Sequence, residues 1–348
     1  MADISIVGAA GEVGRAFAAH LLRAGIMNTS ARLQLVGHGL EASEHKLLAE
    51  RCDLLDAFHE TAPTIDVANA PEEIAADIVV VAAGATISGG GGDRRDLAAA
   101  NRPLFETLGA ALAANGTCRE LVVVVTNPVE LGVEILSRHL DRQRVLGMGA
   151  QQDSLRFARA IAVDAGVRRD SVHAWVCGEH GAAQIPLWSS VRIRGCATSD
   201  FMMAQLRGSE RQTDFADELK LHQTKIKDLL SQDKIRAAFA LAEALPADLR
   251  AAIEPFITVQ CLHSTPHATA NATLEVVRAL QTGREEVVGA QVRLEGEFRD
   301  FHTTLGLPVI VDASGWRTVA CPPLTDVEAT QLDKAVAEIK ANLAQWTA

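Results

Sequence analysis

Residues 4–25 read ISIVGAAGEVGRAFAAHLLRAG, and the fold is decided in this stretch. Ile4-Ser-Ile-Val7 is a short apolar run rich in β-branched residues, as a buried strand requires. Gly8-Ala9-Ala10-Gly11-Glu12-Val13-Gly14 follows at once. Val13, Phe17 and Leu21 then recur on one helical face, and Gly25 stands where the helix should end. A strand, a glycine turn and a helix in this order let the backbone approach a pyrophosphate, whose charge the helix N–H groups and dipole stabilise. The spacing is GxxGxxG rather than GxGxxG, and glycines alone mark only a tight turn. The strand before and the helix after them turn the motif into a dinucleotide-binding signal.

The pattern repeats downstream. Leu33–Val36, Ile78–Ala82, Leu121–Val125 and Val145–Leu146 are continuous apolar strands, separated by helical stretches at 43–56, 96–114 and 130–140. Such alternation predicts an α/β fold, a Rossmann-type doubly wound parallel sheet covered on both faces, over residues 1–150. After Gly149 the character changes to a helix at 153–165, strands near Val172–Val176 and Ser190–Arg194, and amphipathic helices at 213–231 and 326–346. Residues 151–348 are therefore expected to form an α+β substrate-binding and catalytic domain. The strand Leu33–Val36 runs into Gly37-His38-Gly39, where an acidic residue would ordinarily hold the adenosine ribose. His38 or Lys46 is placed to approach a 2′-phosphate, but no arginine is there to grip one, so NAD and NADP both remain open.

Composition narrows the chemistry. The 348 residues carry a net charge of −11 without a basic block, which argues against nucleic-acid or anionic-membrane partners and for a small-molecule ligand. No stretch approaches the roughly 18 apolar residues of a membrane helix. The N-terminus lacks a secretion signal, and the 6 cysteines lack a CxxC pair, so a cytoplasmic protein with reduced thiols is expected. There is no tyrosine, which removes the reductases whose proton donor is a tyrosine hydroxyl.

Another acid must therefore serve. Gly178-Glu-His180-Gly181 follows an apolar strand end and places a histidine, whose ordinary pKa is close to neutrality, in a turn. Asp153 and Arg156 are three apart on one helical face. Read alone they form an intrahelical ion pair; read with His180, Asp153 becomes a ring-orienting carboxylate and Arg156 a fork for a substrate carboxylate. Asn127, in Val124-Val-Thr-Asn127-Pro128, lies at the carboxyl edge of a sheet strand, where open α/β sheets bind ligands; its bland reading is a turn. His173, Cys177 and His180 lack a fourth ligand and a closed zinc spacing, and no metal is expected.

Together, GAAGEVG (8–14), VTNPVE (125–130), QDSLRFARAIA (152–162), GEHG (178–181), LEGEF (294–298), LGLPVIV (305–311) and PLTDVE (323–328) resemble the lactate/malate dehydrogenase family over essentially the whole chain. The resemblance implies that His180 is the proton donor and acceptor, Asp153 its orienting carboxylate and Arg156 the substrate-carboxylate arginine. It makes Asn127 a contact to both substrate and cofactor, and Asn101 a cofactor contact. Arg94, seven residues before Asn101, corresponds to a mobile-loop arginine that polarises the reacting carbonyl, with Arg95 adjacent. The expected cofactor positions are then Gly8, Ala9, Ala10, Gly11, Glu12, Val13, Gly14, Gly37, His38, Gly84, Asn101, Val125 and Asn127. A homodimer or homotetramer is implied as well.

The chain departs from the family where the substrate side chain is read. Ala85-Thr-Ile-Ser88-Gly-Gly-Gly-Gly-Asp-Arg94 has neither the arginine that meets a second carboxylate nor the glutamine that accepts a methyl group; the counted position falls on Ile87 or Ser88. The glycine run makes an ordered closed loop entropically costly. Pro266-His267-Ala-Thr269 replaces a small-residue segment, with His267 either facing the substrate or lying on the surface. The expected substrate is a small 2-oxo or 2-hydroxy acid other than simply oxaloacetate or pyruvate. The competing readings are a non-catalytic dinucleotide-binding sensor or structural subunit, and an NAD-dependent glycosidase, which would need a metal set.

Overall fold

A computed structural model describes residues 2–85, 94–115, 117, 119–196, 200–207, 214–262 and 264–347. Its first half alternates β1 (Ile4–Val7), α1 (Glu12–Arg23), β2 (Arg32–Val36), α2 (Glu41–Ala57), β3 (Thr64–Ala68), β4 (Ile78–Val81), α3 (Arg94–Ala114), β5 (Leu121–Val124), α4 (Val129–His139) and β6 (Val145–Gly147). These strands pair in parallel in the order β3-β2-β1-β4-β5-β6, with the reversal beside β1 that creates a ligand crevice at the carboxyl ends. The fully buried runs Ile4–Val7, Ile78–Val81 and Leu121–Val124 account for the interior strands. Thr64–Ala68 is the strand that apolar continuity misses. Among the described residues it pairs only with β2, at the sheet edge, and its mixed burial needs no apolar run.

The second half continues the same sheet in antiparallel fashion. It comprises α5 (Gly149–Ala165), β7 (Val172–Gly178), β8 (Gln184–Ile193), α6 (Asp200–Arg207), α7 (Phe215–Ser231), α8 (Ile235–Glu243), α9 (Ala247–Leu262), α10 (Pro266–Thr282), β9 (Glu286–Arg293), β10 (Thr304–Asp312), β11 (Gly315–Val319) and α11 (Asp326–Thr347). β9 joins the parallel half through a single Gly147–Gln291 pairing, and β10, β7 and β8 follow it outward. β8 begins several residues before the segment expected at Ser190–Arg194, and Pro186 is accommodated because β8 pairs on one side only.

Three apolar clusters hold these layers. The large one joins the sheet to α1, α3, α4, α10 and α11. A second lies between α5, β7, β8 and α9, and a third, built on Phe215, Leu219, Ile226 and Ile253, joins α7, α8 and α9. Among the described residues no helix is long and apolar enough to cross a membrane.

Candidate active site

The turn between β1 and α1 is shaped for close backbone approach. Gly8 has φ +87°, and a Cβ at Gly14 would strike the Gly8 carbonyl oxygen, so the helix starts hard against the strand end. Gly11 caps α1 without any side-chain bond, leaving the first-turn N–H groups of the helix, at Glu12 and Val13, free to meet phosphate oxygens. That uncapped start fits a dinucleotide. Ala9 is buried and Ala10 half-buried beneath it, while Gly37 and the exposed His38 end β2 on the same edge. Glu44, in the first turn of α2, receives a hydrogen bond from the Asn69 amide at 3.0 Å, which brings a carboxylate to the edge that lacks its usual acid.

Two further loops complete the edge. Asn101 is buried; its Oδ1 accepts from the Ala85 N–H at 2.7 Å and its Nδ2 donates to the Asn127 carbonyl at 2.7 Å. It thus ties the loop after β4, which contains Gly84, to the loop after β5, which contains Val125. Asn127 precedes a cis Pro128, and its exposed side-chain amide has no protein partner among the described residues. Ser88, Ile87 and the glycine run lie outside the described residues.

The candidate constellation assembles from α5 and the turn after β7. His180 Nδ1 lies 2.7 Å from Asp153 Oδ2, which fixes the ring and leaves Nε2 uncommitted among the described residues. Arg156 donates to the other oxygen, Asp153 Oδ1, at 3.1 Å. Asp153 therefore bonds Arg156 along its own helix and the His180 ring across the turn at once. Burial pushes the Asp153 carboxyl up, but the charges and hydrogen bonds of His180 and Arg156 outweigh it and hold it below the usual aspartate value. Burial also lowers the Arg156 pKa, with Asp153 acting against that shift. One carboxylate between two potential cations leaves surplus positive charge when His180 is protonated, which suits an anionic substrate.

Packing sets the ring position. A Cβ at Gly149 would lie 2.5 Å from His180 Cγ, so only glycine at the start of α5 admits the imidazole here.

Two expected substrate-side residues have other partners in the fold. The Arg94 guanidinium donates to the His180 carbonyl oxygen, pairs with Glu179 and lies 3.8 Å from Glu130 Oε2. The reason is electrostatic, because Glu130 and Glu179 are both almost fully buried and require a cation. His267 stacks on His20 of α1 with centroids 5.8 Å apart and planes at 18°. The residue of this segment that reaches Arg156 is Thr265, whose hydroxyl accepts from Nη2 at 3.3 Å. Buried Gln152 donates to Thr269 at 3.1 Å and to Thr265 at 3.4 Å, completing a polar wall beside Arg156.

Sequence reasoning does not single out Glu130, Glu179, Gln152 or Thr265. The one signal toward them is that Glu130, Glu179 and Gln152 stand inside the VTNPVE, GEHG and QDSLRFARAIA motifs. Glu130 Oε1 accepts the His180 backbone N–H at 2.6 Å. Burial raises its pKa, with Arg94 opposing.

The family description lactate/malate dehydrogenase, NAD binding domain, matches residues 2–147, and the alpha/beta C-terminal domain of the same family matches residues 151–244. The chain is 29% identical to a malate dehydrogenase of Halobacterium salinarum over 348 residues, covering 98% of each protein. It is 26% identical to an L-lactate dehydrogenase of Latilactobacillus sakei over 333 residues, covering 95% of this chain and 90% of the relative. In fold it is similar to the lactate dehydrogenase of Cryptosporidium parvum solved with lactic acid and nicotinamide adenine dinucleotide, with a TM-score of 0.79 at 19% identity, covering 99% of this chain and 98% of the other. The malate dehydrogenase of the same organism gives a TM-score of 0.76 at 22% identity over 99% and 98% of the two chains. Matching both halves of the family description across the glycine turn and the His180–Asp153–Arg156 constellation, the chain belongs to the lactate/malate dehydrogenase family.

Proposed function

We propose that the protein, an oxidoreductase moving hydride between a nicotinamide cofactor and a small hydroxy acid, works with NAD and has His180 as its proton carrier. The observation that carries this reading is the shared carboxylate of Asp153, which holds His180 Nδ1 at 2.7 Å and Arg156 at 3.1 Å. Arg156 grips the carboxylate of a 2-oxo acid, and the uncommitted amide of Asn127 donates to its carbonyl oxygen. Protonated His180 gives its Nε2 proton to that oxygen; in the oxidising direction the neutral ring takes it back. When bound, the nicotinamide supplies or accepts the hydride. Arg94, as placed, supports the Glu179-His180 turn, and a role on the carbonyl oxygen requires it, or Arg95 in its stead, to act from outside the Glu130–Glu179 pocket.

NAD is favoured over NADP by charge. The edge at Gly37 is flanked by Glu44, Glu41 and Glu73, which oppose a 2′-phosphate. The substrate side chain is read by the Gln152–Thr265–Thr269 wall, which suits a small polar group better than a bare methyl. We also infer a homo-oligomer, supported by side chains such as Val163 and Leu262, 69% and 61% exposed.

A panel of 2-oxo acids assayed with NADH and NADPH, with His180→Asn as control, tests the reading. The expected result is NADH-dependent reduction reduced about 10²- to 10⁴-fold in the variant. Activity unchanged by His180→Asn would remove the proposed proton carrier.

A further inference from the structure

Away from the catalytic edge, a cleft of about 520 Å³ opens between α4, the connection from β9 to β10, and α11. Its walls carry Glu134, Arg138, Arg293, His302, Lys340 and Leu343. The charges in it do not balance. Glu134 is the carboxylate for two guanidiniums, with Arg138 at 3.4 Å and Arg293 at 3.8 Å, and it also accepts the Thr304 hydroxyl at 3.0 Å. Glu295, the other acid lining the cleft, lies 3.1 Å from Arg142, a guanidinium it shares with Glu297 at 2.5 Å. Lys340 has no carboxylate within ion-pair distance among the described residues.

Arg138, Arg293 and Lys340 thus face Glu134 and Glu295, which leaves a surplus of one positive charge on the cleft lining, in a chain whose net charge is −11. His302, held 3.3 Å from the exposed Asp300, stands at the same rim and adds a donor. The arginines are partly enclosed, 41% and 30% exposed, so their charge is screened less than that of free surface side chains. Leu294 and Leu343 supply an apolar floor. Cations converging in a concave, partly apolar cleft form a receptor for a compact dianion, because guanidinium forks match both phosphate and carboxylate oxygens.

We propose that this cleft is a second binding site, specific for a small molecule bearing a compact dianionic group, phosphate or dicarboxylate. The proposal is independent of the catalytic reading, since none of the cleft residues belongs to the His180 constellation.

Isothermal titration of the full-length protein, saturated with NADH so that the phosphate-binding turn is filled, tests it with two probes, inorganic phosphate and malonate. The expected result is saturable binding of at least one probe, weakened about tenfold or more in Arg138→Gln/Lys340→Gln and retained in the charge-conserving Arg138→Lys/Lys340→Arg. Catalytic efficiency without either probe should stay within about twofold in both double variants, with unfolding midpoints showing that they fold. Binding of phosphate alone assigns the site to phosphate esters, and binding of malonate alone assigns it to dicarboxylates. Absence of saturable binding by either probe, or equal affinity in the glutamine variant, overturns the proposal.

Discussion

Glu130 accepts the backbone N–H of His180 at 2.6 Å, across 50 residues of sequence. The bond joins the first turn of α4, just beyond Asn127, to the turn that carries the proposed proton-transferring ring. The ring is therefore fixed twice, through its side chain by Asp153 and through its backbone by Glu130. Because burial raises the Glu130 pKa, the folded state holds that proton more tightly than the unfolded chain does. Stability is then lost as pH rises from the ordinary glutamate value, about 4.3, through the raised one, and each tenfold difference in proton affinity between the two states amounts to about 1.4 kcal/mol. Glu130→Gln keeps an acceptor and removes the titration. Urea unfolding between pH 4.5 and 7.5 should show a flatter pH dependence in this variant; parallel curves for the two proteins would contradict the assignment.

Asp153 has the opposite sign. Its pKa is depressed in the folded state, so its contribution to stability is present above the ordinary aspartate value, about 3.9, and is lost as pH falls through the depressed one. The stability difference between wild type and Asp153→Asn should be constant near neutrality and shrink in acid. Activity should fall about 10²- to 10⁴-fold at pH 7, since the ring loses its orienting carboxylate. Steady-state kinetics and denaturation at matched pH measure both effects.

Arg156→Lys replaces a fork with a point charge. The 3.1 Å bond to Asp153 and the 3.3 Å bond to Thr265 use separate guanidinium nitrogens, a geometry an ammonium does not reproduce. KM for the 2-oxo acid should rise about 10- to 100-fold, corresponding to loss of a charge-assisted hydrogen bond, with a smaller change in kcat. An unchanged KM would place the substrate carboxylate elsewhere.

Gly149→Ala tests packing without touching a polar group. The added Cβ would sit 2.5 Å from His180 Cγ, so the ring must shift. A displacement of about 1 Å in a reacting group costs on the order of 10²-fold in rate. NADH affinity, followed by fluorescence, should be preserved, and a loss of affinity equal to the loss of rate would point to global damage instead.

Glu44→Gln tests the cofactor edge. Removing the carboxylate held by Asn69 at 3.0 Å should raise the ratio of NADPH to NADH efficiency several-fold, in line with about 1 kcal/mol for a nearby like charge in water. A ratio that does not move would place the 2′-hydroxyl away from Glu44.

Much of this architecture is legible without coordinates because it is written locally. Ile4–Val7, the glycines after it and the Val13-Phe17-Leu21 face specify strand, turn and helix within a few residues of one another, and the continuous apolar strands specify two-sided burial. Asp153 and Arg156 are legible for the same reason, since three residues along a helix share a face. Thr64–Ala68 is not legible because an edge strand needs only partial burial.

The order of elements, the dinucleotide turn and the spacing that puts Asp153 and Arg156 on one helical face are thus contained in the chain's own pattern, because all of them rest on short-range periodicity and motif spacing. Where the charges go emerges only on folding. The assembled chain sends Arg94 to the buried Glu130 and Glu179, turns His267 onto His20, and sets Thr265 and Gln152 beside Arg156. Burial is a property of the whole packed molecule, and a buried carboxylate draws in whichever cation the fold brings near, however far away in sequence.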